Sequence, residues 1–578
     1  MAAWPLLQPG YFSMHDIQHP VRLFLLKQGL NQGYLYPRWV ADLGFGFGYP
    51  LFNFYPPLIY YVSSVFLFFG FSIINSLKAM LIVGFLLASI SSYCYAKLFL
   101  SRRVALIASA FYTYTFYHAI TVYIRGAFAE FFSYGLFPFV AFFLHSLILK
   151  PNWTKVLGLG FSFAMLLLCH PLIAFPSVFF IVAYFILGLL ISKQKILVFF
   201  SQTLGLLLGL GLSAFFWLPS LVEKKYTLVD DILTRELYNY QLHFVELKQL
   251  YFSPWGFGGS TFGAADGFSY QIGKYYLFFL GLSIIIGIYL WLRKPLFGRK
   301  KLMLLGFNLF LLIFSYFMSL SYSQFIWNKI KYLWYLQFPW RFFTFAAIYL
   351  SVVAASAIDL WTWCKKSKFW KIAGQVCLLF LVGILIMKYS KLFQPQKIYQ
   401  IEDAQITNKH QRQWIISKTS FEFVPKGVST TLNNFGVTTL AIKKKNLPKK
   451  SFKILSGQVL TKKIESRFMD KKYLVKVEKP AVFQLNTYYF PGWVAYLNGE
   501  ELKIDYSKKL KLIRVSLPKG NYALNFRFGN TKIRVFSNYL SLFSLIFFGF
   551  FTVIILAQRI RGFSFRNFFR IKIIEKDR

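Results

Sequence analysis

Repeated apolar runs about 20 residues long constrain this chain more than any other feature, because a lone segment crossing ~30 Å of hydrocarbon must satisfy its own backbone as a helix. Such runs fall near 77–99, 102–121, 128–149, 155–169, 172–192, 196–219, 275–293, 302–322, 342–361, 372–389 and 536–557. Eleven crossings are therefore expected, rising toward thirteen if the 55–74 run and a helix before Met1 are added. The 55–74 run opens Phe54-Tyr55-Pro56-Pro57 and is crowded with aromatics, as interfacial segments are, so we read it as juxtamembrane or re-entrant. The charge balance, 65 Lys and Arg against 21 Asp and Glu, would suggest nucleic acid in a soluble protein. Here the basic residues sit between apolar runs and in one terminal block, which makes membrane lipids the expected partner and not nucleic acid. Cys94, Cys169, Cys364 and Cys377 show no metal-ligand spacing and argue against a zinc site and a disulfide framework.

Short loops rich in Lys and Arg stay in the cytoplasm. Those of this chain are Lys97/Arg102/Arg103, Lys150/Lys155, Lys193/Lys195, Arg293/Lys294/Arg299/Lys300/Lys301, Lys365/Lys366/Lys368/Lys371 and the tail from Arg559. All fall on one side when the eleven spans alternate. The other side receives 125–128, His170-Pro171, the loop 220–274, the segment 323–341 and the block 390–535. The expected organisation is an exterior first loop with its juxtamembrane segment (1–76), a transmembrane domain (77–389), an exported domain (390–535), a final helix (536–557) and a basic cytoplasmic tail (558–578). The opening Met1-Ala2-Ala3-Trp4-Pro5-Leu6-Leu7 is too short to span, so a preceding helix is expected, and no cleavable signal peptide is visible.

In 390–535 the aromatic helices give way to alternation, as in 472–478 and 481–487, and period two means strands. Asn498-Gly499 marks a hairpin and Pro518-Lys519-Gly520 a further turn. A small β-sandwich is expected, with 28 Lys and Arg against 9 Asp and Glu. That excess reads first as a solvated basic surface and second as a face for anionic headgroups or wall polymers.

Only three acids precede position 220: Asp16, Asp42 and Glu130. An acid costs roughly 2.5–3.5 kcal/mol at the centre of a membrane helix, so each needs a reason. Glu130 follows Arg125-Gly126-Ala127 at a helix start, where the dipole and free N–H groups favour an anion. An Arg/Glu pair holding the helix end is the competing explanation. His170 and Arg341 of Phe338-Pro339-Trp340-Arg341 reach the same boundary, and it is their convergence that points to a site. Asp16 lies in His15-Asp16-Ile17-Gln18-His19, too closely spaced and without a third carboxylate for a convincing metal set; a general base fits better. Asp42 reads as structural. The pair Asp230-Asp231 in the loop 220–274 reads as a solvated helix end, while a loop of that length at an active face often closes over substrate.

Sugar transfer from a lipid phosphate needs one carboxylate to take the acceptor proton and cations to hold the phosphate, whereas hydrolases usually use two carboxylates. Asp16 with Arg125, Arg341 and His170 is a minimal set of that kind.

The motifs Met14-His15-Asp16, Pro37-Arg38-Trp39, Gly46-Phe47-Gly48-Tyr49-Pro50-Leu51-Phe52-Asn53-Phe54-Tyr55-Pro56-Pro57, Arg125-Gly126-Ala127 with Glu130, and Ser253-Pro254-Trp255-Gly256 with Gln271-Ile272-Gly273 resemble those of bacterial polytopic proteins labelled 6-pyruvoyl-tetrahydropterin synthase-related, close to YfhO-like membrane proteins. Tyr488-Tyr489-Phe490-Pro491-Gly492-Trp493 resembles their exported carboxy-terminal domain. Such proteins are similar to GT-C glycosyltransferases. That resemblance implies a GT-C-like α-helical polytopic fold, an acid in the first exterior loop, a polyprenyl-phosphate sugar donor, and transfer on the outer face of the bacterial plasma membrane to a cell-envelope glycan, lipid or protein. Asp16 is the matching acid, Glu130 a second catalytic candidate, and His15, Arg38, Arg125, His170 and Arg341 the candidates for holding phosphate or sugar. No resident metal or other cofactor is assigned, although the reaction is compatible with a divalent metal. The pterin label carries no chemistry here, since a synthase of that kind uses a zinc-binding histidine cluster and 390–535 holds only His410. A transporter or flippase of lipid-linked glycans and a non-catalytic glycan-binding envelope protein are the competing classes.

Overall fold

The computed structural model describes residues 1–293, 296–364, 367–432 and 437–561. The basic tail from 562, and Lys294, Lys365 and Lys366 of two basic loops, lie outside the described residues.

Among the described residues nine helices are long and apolar enough to cross a membrane: Ile73–Ala96, Phe128–Leu149, Pro171–Ile191, Lys195–Leu212, Lys274–Arg293, Arg299–Ser319, Pro339–Cys364, Lys368–Ser390 and Lys532–Gln558. The chain is a multi-pass helical membrane protein, with nine such helices among the described residues rather than the eleven or more expected. The 102–121 run is not one helix. It divides into Arg102–Thr113, Phe116–Ala119 and a π-helical turn Ile120–Ile124, because Thr115 turns extended and its Oγ1 donates to the Tyr112 carbonyl. Trp153–Cys169 is apolar but only 17 residues long, rising about 25 Å before His170-Pro171 ends it. Leu58–Phe68, with 11 residues, rises about 16 Å, roughly half a hydrocarbon core.

Carboxylates close helix ends at both poles. Asp403 accepts from the backbone N–H groups of Ile73 and Ile74 at 2.6 and 3.1 Å, a negative charge on the positive end of the helix dipole. At the opposite pole Asp359 takes the N–H and hydroxyl of Ser101 at 2.7 and 2.8 Å, one residue before Arg102–Thr113 begins.

The β-sandwich expected for 390–535 is not formed. The strands Phe452–Ser466, Asp470–Tyr488, Trp493–Leu497, Glu500–Leu502, Leu512–Leu517 and Gly520–Phe528 make one antiparallel sheet that neither closes nor faces a second. Asp470–Tyr488 is its spine: Phe452–Ser466 pairs along one edge, and Leu512–Leu517 and Gly520–Phe528 run end to end along the other. Pro518-Lys519 thus interrupts one strand direction instead of reversing it, while Asn498-Gly499, both with positive φ, does make a tight hairpin. Period-two alternation promised one buried face, and the chain covers it with its own first loop: Trp39 packs edge-on to Trp493 at 5.4 Å, Phe47 meets Tyr488 at 5.1 Å and Phe54 meets Phe490 at 5.9 Å. The loop motif 44–48 bends through positive φ at Gly44, Phe45, Gly46 and Gly48, and an added Cβ at Gly48 would lie 2.7 Å from both the Trp39 indole nitrogen and the Val40 carbonyl. The first loop is therefore clamped between membrane helices and sheet.

One lysine of the sheet is buried. Lys471 Nζ reaches Thr487 Oγ1 at 2.7 Å, and burial pushes its pKa down to about 8. The unfolded chain then binds more protons than the folded one between that value and about 10.4, so stability rises with pH across this window and the charged form is penalised below it. Lys471→Met should raise the thermal unfolding midpoint at pH 7, with the gain over wild type shrinking as pH approaches 10.

Candidate functional site

The site is assembled where the π-helical turn, the start of Phe128–Leu149 and the start of Pro339–Cys364 meet. Glu130 is 1% exposed, and its Oε2 accepts from Arg125 Nη2 at 2.9 Å and Arg341 Nε at 3.2 Å. Its Oε1 takes the Tyr117 hydroxyl, which also accepts from Arg125 Nη1 at 3.1 Å. Arg125 lies over the Trp340 ring at 4.4 Å, and Arg341 Nη1 is tied to the Leu336 carbonyl at 2.6 Å and to Gln337 Oε1 at 3.3 Å. One carboxylate thus fixes two guanidiniums and leaves a net positive charge. The break at Thr115 serves this arrangement by presenting Tyr117, and π-turns recur at functional positions for such reasons.

Asp16 is brought here by backbone pairing: His15 N–H donates to the Ile124 carbonyl at 3.0 Å and Asp16 N–H to the Arg125 carbonyl at 2.9 Å. The half-buried Asp16 carboxylate makes no ion pair or side-chain hydrogen bond among the described residues. Burial raises its pKa above the ordinary aspartate value, against the pull of Arg125, Arg22, Arg341 and His15. Its neighbour Met14 fills the space above Gly126, which has φ +66° and where a Cβ would lie 2.5 Å from the methionine sulfur. Gly126→Ala should therefore displace 14–16, costing about 1–3 kcal/mol in thermal unfolding and most of any Asp16-dependent activity.

His19 locks the same loop. Its Nε2 lies 2.7 Å from the Gly126 carbonyl and its Nδ1 3.0 Å from the Tyr60 hydroxyl, and burial pushes its pKa down to about 3. The neutral ring therefore donates from Nε2 and accepts at Nδ1. His15 faces elsewhere, its Nε2 3.0 Å from the Phe257 carbonyl in the loop 220–274. The two histidines diverge, and among the described residues no three His, Cys, Asp or Glu side chains are grouped for a metal.

The loop 220–274 roofs the cluster. Ser260 Oγ lies 3.3 Å from the Trp340 indole nitrogen, Phe268 packs edge-on to Trp340, and His243 packs on Phe338. Within it Asp230 is held by Lys224 and Tyr335 at 2.8 and 2.7 Å, so this acid is tied into the fold.

Of the residues singled out from sequence, Asp16, Arg125, Glu130 and Arg341 come together. His170 caps Trp153–Cys169 close enough to couple electrostatically to Glu130 and both arginines, and its buried Nδ1 has no partner among the described residues. Arg38 does not join them. It bonds Asn53 Oδ1 at 3.0 Å, the Phe215 carbonyl at 2.7 Å and Asn538 at 3.3 Å, beside the Glu223–Arg534 pair that ties the last helix to Ala214–Glu223. Asp42 pairs with Arg412 at 2.7 Å and docks the segment after 400.

Two charged residues near Asp16 escaped the sequence reading of the site. Arg22 is 4% exposed, stacks on Tyr55 at 3.7 Å and donates to Ser420 Oγ at 2.9 Å. Glu422 takes the Ser420 hydroxyl at 3.2 Å, and burial raises its pKa against the pull of Arg22.

A polytopic helical membrane domain with a buried arginine pair and a free carboxylate at one pole defines the class of this protein. A family model described as "6-pyruvoyl-tetrahydropterin synthase related domain; membrane protein" matches residues 52–395, more than half of the chain, and the protein belongs to that family. No curated protein matches the chain.

Proposed function

We propose that this protein is a GT-C-type glycosyltransferase that moves a sugar from a polyprenyl-phosphate donor to a cell-envelope acceptor on the outer face of the plasma membrane. The observation that carries this is Asp16, whose backbone N–H is bonded to the Arg125 carbonyl and whose carboxylate is unpaired among the described residues, beside Arg125, itself fixed with Arg341 by Glu130. The acceptor oxygen attacks the anomeric carbon, the bond from that carbon to the phosphate oxygen breaks, and the acceptor proton passes to Asp16. Arg125 and Arg341 stabilise the departing polyprenyl phosphate, whose charge grows as the bond breaks. Glu130 positions both arginines and, being fully paired, is no proton acceptor. The charged groups of the site gather at helix ends under the loop 220–274, which favours transfer at the surface over passage through the domain. The test is transfer from radiolabelled polyprenyl-phosphate sugar to an envelope extract by membranes carrying the full-length protein or Asp16→Asn. Transfer by the first and its collapse in the second support the assignment; equal transfer by both overturns it.

A further inference from the structure

Glu422 belongs to neither the membrane helices nor the segment matched by the family model, which ends at 395. It sits in the stretch 420–426, which is pinned from two sides. On the first loop, Tyr49 donates to the Ser420 carbonyl at 3.0 Å and Phe54 stacks on Phe423 at 5.5 Å. On the loop 220–274, Leu228 N–H donates to the Val424 carbonyl at 3.1 Å and Lys426 N–H to the Tyr226 carbonyl at 2.9 Å.

This double anchorage holds Glu422 against the Ser420 hydroxyl, which also accepts from Arg22 Nη2 at 2.9 Å, and Glu422 feels the charge of both Arg22 and Asp16. Among the described residues Asp16 has no side-chain partner, and Glu422 has the Ser420 hydroxyl and its own backbone N–H. Arg22 is 4% exposed, and its buried Nε has no acceptor among the described residues. The orphaned Nε beside two half-buried carboxylates leaves hydrogen-bonding capacity that a ligand can take up. Two carboxylates repel a phosphate, which the Arg125–Arg341 side suits. A neutral polyol fits here, since its hydroxyls donate to carboxylates and accept from a guanidinium. Tyr55, beneath Arg22, adds the aromatic surface that sugar rings bury against.

We propose that Glu422, with Arg22 and Tyr55, forms the subsite for the neutral hydroxyls of the acceptor glycan, so that the segment after the membrane domain selects the acceptor. This rests on the transferase assignment above. Glu422 is here a specificity residue, and Asp16 keeps the proton-transfer role.

The experiment uses the full chain in detergent with two readouts. In the transfer assay, Glu422→Gln should raise the acceptor KM tenfold or more with kcat within about twofold and donor binding unchanged, and Glu422→Asp should recover part of the loss. An unchanged KM, a loss confined to kcat, or a parallel loss of donor binding overturns the subsite. The second readout needs no turnover: carbodiimide labelling of Glu422, followed by mass spectrometry of the 420–426 peptide, with and without a panel of neutral oligosaccharides. Protection by at least one neutral oligosaccharide, absent with inorganic phosphate, supports the subsite. Labelling untouched by every sugar overturns it even if the transferase assignment stands. Failure of transfer by the wild type, with protection retained, would instead sink the transferase assignment alone.

Discussion

Asp16→Asn should lower sugar transfer by about 10²–10⁴, the range general-base catalysis supplies, while leaving binding of the polyprenyl-phosphate donor intact. The loss should fall on kcat because the carboxylate acts on the proton of the attacking hydroxyl and not on the phosphate. Two further signs separate this from a general disturbance. Asp16 has its pKa raised by burial, so wild-type transfer should fall with acid at a pH above the ordinary aspartate range, and the residual activity of Asp16→Asn should lack that limb. Stability should move the other way. A carboxyl whose folded pKa exceeds its unfolded one makes the fold less stable as pH rises through that interval, so at pH 7 the uncharged Asn should unfold no earlier than wild type. A variant that is inactive yet at least as stable marks a group held for chemistry rather than for the fold.

Glu130→Gln should behave in the opposite way. Its carboxylate is the one ion-pair partner that the described residues give to Arg125 and Arg341, and both pairs are almost wholly buried. Removing one partner from a buried ion pair leaves an uncompensated charge and costs about 3–5 kcal/mol. The thermal unfolding of the detergent-solubilised chain should drop accordingly, and activity should fall with it through loss of the arginine geometry. Adding Arg341→Gln to Glu130→Gln should restore part of the stability and none of the activity, because charge balance returns while the phosphate clamp does not.

The membrane-spanning helices were legible because a bilayer demands about 20 apolar residues of any helix that crosses it. What hydropathy does not register is a local break, and so 102–121 read as one span although Thr115 divides it and swings Tyr117 onto Glu130. The strands between 452 and 528 were legible from alternation, but a period of two says only that one face is buried, not what buries it. Here the cover is Trp39, Phe47 and Phe54, about 440 residues away in sequence from the strands they meet, instead of a second sheet.

The site divides in the same way. Asp16, Glu130, Arg125 and Arg341 stood out because ionised residues are rare and costly beside membrane helices. Glu422 sits in a polar, charge-rich segment where an acid is unremarkable, and it is linked to Arg22 only through Ser420, 398 positions along the chain from that arginine. No local pattern encodes such a contact. Arg38 shows the converse: its motif is a strong one, yet its hydrogen bonds join the first loop to the last helix, away from Glu130.

The central claim is that a sugar leaves its lipid phosphate at Asp16. The most direct measurement is to reconstitute the full-length protein in liposomes with polyprenyl-phosphate sugar labelled in the sugar, add envelope acceptor, and follow both the label and the freed lipid phosphate. The account predicts labelled acceptor and polyprenyl phosphate appearing in equal amounts, with both lowered by about 10²–10⁴ in Asp16→Asn. Donor that stays intact, whether it changes leaflet or remains bound, in wild type and Asp16→Asn alike, would contradict it.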